Sequence, residues 1–309
     1  MNGSAPEVTW LLPVRNGMPY LTETLASLAA QTYRRYRVLA LDDGSTDDSF
    51  SELTRWIPAR LPGRIISLRT SVGLGAALAR LVEEADTEWC ARIDADDLCE
   101  PQRLEHQVAF VQSNPQVAVV GTQIQFIDSS GRSIDGAWTM PTNDADIRWR
   151  LRFCNALNHP TVMFRRSAVL RAGNYRPMQP GQDYDLWVRL APHCRMANLP
   201  QALVRYRRHS SSITARENRA EHQVPAELFP DLSRDKISRL FTVVTNWNNE
   251  NISLEDIRLL RRAATNASIE AGQANDYFRR TELYRCQHRS LVRRWMRCLL
   301  TNAPIRNAA

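Results

Sequence analysis

Four short apolar runs, each followed by a helical stretch, occupy the first third of the chain and restrict its fold more than any other feature. VTWLLPV (Val8–Val14), YRVLALDDGS, RIISLR and EWCARI each read as a strand. YLTETLASLAAQ (Tyr20–Gln31), the stretch after TDDS, GLGAALARLVEEA (Gly73–Ala85) and PQRLEHQVAFVQ read as helices. Strands alternating with helices of about 10–15 residues predict a parallel α/β sheet with right-handed crossovers. In such sheets ligands sit beyond the carboxyl ends of the strands. Arg15–Asn16, Asp42–Asp43 and Asp94–Asp97 all fall at strand ends and are expected to share one rim.

The middle of the chain changes character. TQIQFID and RSIDGAW flank SSG, a hairpin signal. NHPTVMFRR, GQDYDLWVRLA and QALVRYRRHSSSIT then mix strands with a short helix. From about Arg216 the chain reads as helical and arginine-rich, and ARENRAEHQVP loses its apolar periodicity. A boundary is expected within 212–225, dividing a sheet-containing domain (1–215) from a helical C-terminal region (216–309).

A chain of 309 residues suffices for one large domain or two modest ones. The net charge of +7 is carried almost wholly by arginine, since Lys236 is the only lysine. A basic surface suits nucleotides, nucleic acid or anionic lipid, and the total alone does not choose among them. The six cysteines show neither CxxC nor zinc-type spacing, so a reducing cytosol is the simplest setting. MNGSAPEVTW lacks the basic and apolar regions of a secretory signal, and no apolar run approaches the ~18 residues of a membrane span. A cytoplasmic location is expected.

RIDADDLCEP (Arg92–Pro101) places Asp94, Asp96 and Asp97 within four positions at the end of a buried strand. Carboxylates this close repel and raise one another's pKa, so something must offset the repulsion. A solvated turn or helix cap would do so for one aspartate. Three of them, on a rim with two other polar strand ends, point instead to a hard-cation site for Mg²⁺ or Mn²⁺, which prefer carboxylate oxygen and often bridge to phosphates. The chain has no G-x-x-x-x-G-K-[ST], and no G-x-G-x-x-G after the first strand, which disfavours ATPase and dinucleotide enzymes. VGLGAALA follows the third strand and is discounted.

LPVRNG, LDDGSTDDS, ARIDADDLCEPQRLEHQ, NHPTVMFRRSAV, GQDYDLWVRL and YRRHSSSI occur in the order found in family 2 glycosyltransferases, and the resemblance spans about Val8 to Thr214. The resemblance implies a GT-A fold and an inverting, metal-dependent transfer of one sugar from a nucleotide-sugar, a UDP-sugar by family habit, to a glycan or lipid-linked acceptor. Asp94–Asp96 looks like the family's DxD element, with Asp96 on the metal and Asp94 at the ribose or supporting the metal. Asp43 looks like the acid that accepts from the nucleotide base, and Pro13, Arg15 and Asn16 like the loop around the nucleoside. Asp183 stands at the position of the family's base, which an inverting displacement needs to take the acceptor proton. Gln182 precedes it where the family commonly has Glu, so a supporting acid is missing there. Asp185 is expected at the surface or paired with Arg189 at i+4.

His209 follows the last strand, where GT-A enzymes place a late metal ligand or diphosphate contact, and Arg207 is a comparable candidate for phosphate. His159 is expected either to line the sugar or acceptor pocket or to serve as a satisfied structural histidine. The processive Q-x-x-R-W signature is absent, which favours single-sugar addition. A nucleotidyltransferase would show a glycine-rich basic loop after the first strand, of which LPVRNGMPY is a poor version. A catalytically silent nucleotide-sugar-binding protein would not need Asp43, Asp96 and Asp183 together. A nucleic-acid partner rests on net charge alone and ranks last.

In ELYRCQHRSLVRRWMRCLL, Arg285, Arg289, Arg293 and Arg297 fall on one i,i+4 row beside an apolar stripe containing Leu291 and Trp295. Residues 282–300 thus have the pattern of a basic amphipathic helix, suited either to packing on the domain or to an anionic membrane surface at the inner face of the plasma membrane.

Overall fold

A computed structural model describes residues 7–136, 138–151, 155–178 and 181–210, with isolated positions at 233, 235, 236 and 239. The domain boundary expected within 212–225 and the basic stretch 282–300 lie outside the described residues, as does nearly all of 216–309.

The first four runs fold as read. In chain order they give β1 (Val8–Val14), α1 (Leu21–Ala29), β2 (Tyr36–Asp43), α2 (Ser49–Trp56), β3 (Gly63–Leu68), α3 (Leu74–Glu84) and β4 (Trp89–Arg92). β1 lies between β2 and β4 and pairs in parallel with both, and β2 pairs in parallel with β3. Every residue of β1 is buried, as expected of a central parallel strand covered on both faces. α1 turns Leu21, Thr24, Leu25 and Leu28 inward, the spacing of one helix face.

After β4 come β5 (Leu98–Cys99), α4 (Arg103–Ser113), β6 (Val117–Ile127), α5 (Asp144–Arg150), a 3₁₀ turn at His159–Thr161, β7 (Met163–Arg165), α6 (Arg166–Arg171), α7 (Gln182–Leu190) and β8 (Arg195–Arg207). The eight strands form one sheet in the order β3-β2-β1-β4-β7-β6-β8-β5. Its second half, where the sequence pattern changes character, is mixed in direction. β7 runs antiparallel to both β4 and β6, and β5 antiparallel to β8, while β6 and β8 are parallel. β7 has only three residues and is entered directly from the 3₁₀ turn that precedes it. The SSG hairpin is reduced to a tight turn: Arg132 O accepts from Asp128 N at 2.9 Å, and Ile127 bridges Ser133.

Because β1, β2 and β4 are parallel, Arg15–Asn16, Asp42–Asp43 and the 94–97 turn leave the sheet at the same edge. That rim gathers the candidate site residues.

Candidate active site

The 94–97 turn is held from two directions. From α1, Thr24 Oγ1 lies 2.8 Å from Asp97 O and 3.0 Å from Ala95 O, sharing its one hydroxyl hydrogen between them. From β8, the backbone N–H of Arg207 donates to Asp97 Oδ1 at 2.8 Å and Arg207 Nε donates to Asp96 O at 2.8 Å. So fixed, Asp94, Asp96 and Asp97 each bring one carboxylate oxygen within 4.8 Å of the others.

The electrostatics follow from this crowding. Burial pushes the Asp94 carboxyl up to about 6, with further upward pushes from Asp96 and Asp183, while Arg92 pulls it back. Asp97 is raised well above the usual carboxylate range, first by burial and then by Asp96 and Asp94. Arg92 is the local counter-charge. Its guanidinium is buried, Nη2 is bonded to Asp94 Oδ1, and Nε and Nη1 have no partner among the described residues.

The donor set fits a hard divalent cation. Three carboxylate oxygens converge, Asp97 Oδ2 is buried without a hydrogen bond among the described residues, and His209 Nε2 stands 2.9 Å from Asp96 Oδ2. His209 also packs its ring against Tyr20, centroids 4.8 Å apart.

Arg207, read from sequence as a phosphate contact, is a buried strut. Beyond its bond to Asp96 O, its Nη2 donates to Glu23 Oε2 at 2.6 Å, and Nη1 reaches Asp128 O and Ser129 O. Its guanidinium lies 4.6 Å from the centre of the Tyr20 ring.

At the neighbouring strand end, buried Asp43 organises a loop. Oδ1 accepts from Val72 N at 2.7 Å, and Oδ2 accepts from Ser71 Oγ at 2.6 Å and Gly73 N at 3.0 Å. About four lone-pair directions are available on a carboxylate, so among the described residues one stays open on Oδ1. Asn16 crosses to the same rim: its N–H donates to Ser45 Oγ, and its Oδ1 accepts from Thr46 N at 2.8 Å. Arg15 is exposed there, whereas Pro13 is buried within β1 opposite Leu41.

Asp183 lies in the first turn of α7, which begins after Gly181 at φ +97°, a conformation glycine adopts without strain. Its Oδ2 accepts from Asn155 Nδ2 at 2.6 Å. Gln182 is buried with Oε1 unpartnered among the described residues. Asp185 pairs with Arg189 at 2.7 Å, as its i+4 spacing predicts, and with Arg176 at 2.9 Å. His159 is buried and bonded to Tyr175 Oη at 3.0 Å. Burial, and then the charge of Arg92, hold it well below the ordinary histidine range, so it is neutral.

Asn155, Thr24, Arg92 and Tyr175 were not singled out from sequence. Thr24 had a visible signal, as a polar residue on the apolar face of α1. Asn155 sits in an irregular segment and had none.

The rim therefore combines a cluster of three carboxylates, a strand-end acid on a loop and a separate carboxylate at a helix start. The sequence model for "Glycosyl transferase family 2" matches residues 9–171, more than half the chain. The chain belongs to glycosyltransferase family 2. It is 33% identical over 218 residues to an uncharacterized glycosyltransferase of Haemophilus influenzae, covering 70% of this chain and 80% of that one. It is also 33% identical over 198 residues to the amylovoran biosynthesis glycosyltransferase AmsE of Erwinia amylovora, covering 63% and 73%. Among solved structures, Staphylococcus aureus TarS (residues 1–349, in complex with UDP-GlcNAc) superimposes with a TM-score of 0.63 at 19% identity, covering 86% of this chain and 81% of that one. That likeness gives the family 2 chain a GT-A fold, with the cluster of Asp94, Asp96 and Asp97 at the carboxyl edge of its sheet.

Among the described residues, no helix is long and apolar enough to cross a membrane.

Proposed function

We propose that this family 2 enzyme is a metal-dependent, inverting glycosyltransferase that moves one hexose or N-acetylhexosamine from a UDP-sugar to a hydroxyl of a glycan or lipid-linked acceptor. The observation that carries the reading is the division of labour among carboxylates. Asp94, Asp96 and Asp97 converge on one point, while Asp183 stands apart on α7, near enough for its charge to raise Asp94. An inverting transfer requires these two separate functions.

The acceptor oxygen attacks the anomeric carbon, the bond from that carbon to the phosphate oxygen breaks, and its electron pair departs with the diphosphate. Asp183 takes the proton of the acceptor hydroxyl as the new bond forms. A divalent cation, Mn²⁺ or Mg²⁺, held by Asp96 and His209 beside Asp94, would supply neutralisation of the diphosphate charge. Asn16 and Asp43 shape the nucleoside side of the rim through the 45–46 and 71–73 segments. The UDP reading is supported by the ligand of TarS, and the glycan acceptor by the stated role of AmsE. A peripheral place on the cytosolic leaflet, reached through 282–300, completes the reading and rests on the sequence pattern alone.

Calorimetric titration with UDP, GDP and dTDP, with and without Mn²⁺, on the native protein and Asp96→Asn, tests the proposal. Metal-dependent binding of UDP that disappears in the variant is the expected result. Tight binding indifferent to both metal and substitution would sink the carboxylate assignment.

A further inference from the structure

Asp183 needs a fixed orientation to receive a proton, and Gln182 does not provide it with an acidic neighbour. We infer that Asn155 is the positioning residue that aims Asp183 at the acceptor hydroxyl, an inference that rests on the base role proposed above.

The amide of Asn155 has only one orientation compatible with its surroundings. Its Oδ1 accepts the backbone N–H of Leu157 at 3.2 Å, two residues on, which turns Nδ2 toward α7. Nδ2 then donates to Asp183 Oδ2 at 2.6 Å. The backbone of Asn155 is itself anchored: its carbonyl accepts from Arg150 Nε at 3.0 Å, while Nη1 of the same guanidinium donates to Thr139 O at 2.9 Å. Asn155 thus hangs from α5 on one side and grips the start of α7 on the other.

Among the described residues, the groups around Asp183 do not duplicate this contact. The carboxylate of Asp185 is taken up by Arg176 and Arg189, and Tyr175 Oη is bonded to His159. Asn155 leaves the second oxygen, Oδ1, to meet substrate. Occupying one carboxylate oxygen with a neutral donor fixes the plane of the group without adding a charge, so the other oxygen presents a defined lone pair. Misplacement of a reacting group by about 1 Å costs on the order of 100-fold in rate, and this contact guards against that loss.

Two measurements test the inference. The first is a double-mutant cycle on stability with Asn155→Ala and Asp183→Ala, followed by urea denaturation. Overlapping losses are expected, and losses that add fully would overturn the contact. The second is UDP release from UDP-glucose, UDP-galactose and UDP-GlcNAc with Mn²⁺ and water as acceptor. Asn155→Asp keeps the shape of the side chain and removes the donor. It should lower kcat on the order of 10-fold or more while the Kd for UDP stays within about twofold. Wild-type kcat in Asn155→Asp beside an inactive Asp183→Asn would overturn the Asn155 role alone. Full activity of Asp183→Asn would sink the base assignment and the Asn155 role together.

Discussion

Asp97 Oδ1 accepts the backbone N–H of Arg207 at 2.8 Å, joining the acidic turn to a strand 110 residues further along the chain. The Arg207 side chain reinforces that join from the same residue, through Asp96 O and Glu23. The acidic turn is thus braced by the residue that sequence alone offers as a ligand for phosphate.

Replacing Arg207 with Met separates the two roles. A strut predicts a loss of stability on the order of 3 kcal/mol, because the carbonyls of Asp96, Asp128 and Ser129 lose their guanidinium donor and Glu23 loses its ion partner, while the backbone bond to Asp97 stays. A phosphate contact predicts unchanged stability and weaker nucleotide binding that varies with salt. Urea denaturation of the variant beside a UDP titration at two ionic strengths decides between them, and the stability loss is the expected result.

His159 should give stability a pH dependence. It is neutral in the folded protein, because burial and Arg92 hold its pKa down, but it titrates near 6.5 when unfolded. Below that value the unfolded chain binds a proton the folded chain refuses, so stability falls as pH drops from 6.5, at up to about 1.4 kcal/mol per pH unit. Above 6.5 this contribution is constant. Denaturation between pH 5 and 8 should show a shallower acid slope in His159→Gln than in the native protein.

Asp43→Asn exchanges an acceptor for a donor against two backbone amides. One amide orientation sets an NH₂ toward Val72 N, and the other toward Gly73 N and Ser71 Oγ. The 71–73 loop should loosen at a cost of about 1–3 kcal/mol locally. Hydrogen exchange at Val72 and Gly73 should accelerate, and nucleotide affinity should fall with it. Unchanged exchange would mean the loop is held by other contacts.

Gly75 lies in the first turn of α3, where a Cβ would fall 2.4 Å from Arg176 O and 3.0 Å from Met178 O. Gly75→Ala must therefore displace the 176–178 segment that leads toward α7. A stability loss of about 1–3 kcal/mol is expected, with a larger proportional fall in turnover than in UDP affinity. Equal turnover in the variant would show that the segment moves without disturbing Asp183.

Much of this arrangement was legible in the residues because it is local. β1 and β2 announce themselves as unbroken apolar runs, and the parallel order that follows is enough to bring Asn16, Asp43 and Asp96 to one rim. Position along a strand is a property of sequence, and so the rim could be read. What could not be read depends on burial and on distant partners. An arginine two residues from a candidate metal-binding histidine looks like a phosphate ligand until its guanidinium is found spent on Asp96 O and Glu23. β7 is too short for its antiparallel direction to leave a pattern. Asn155 lies in a stretch without periodicity, and only the placement of α7 gives it a partner.

The brace on the 94–97 turn also bears on how far the motif can travel. Thr24, more than 70 positions upstream, and Arg207, 110 positions downstream, between them take the carbonyls of Ala95, Asp96 and Asp97. The four letters DADD carry the charges, but their aim is written elsewhere. Grafted onto the end of another parallel strand, they would arrive as an acidic loop without direction. A transplant that hopes to capture a cation would have to bring a helix threonine and a strand arginine with it.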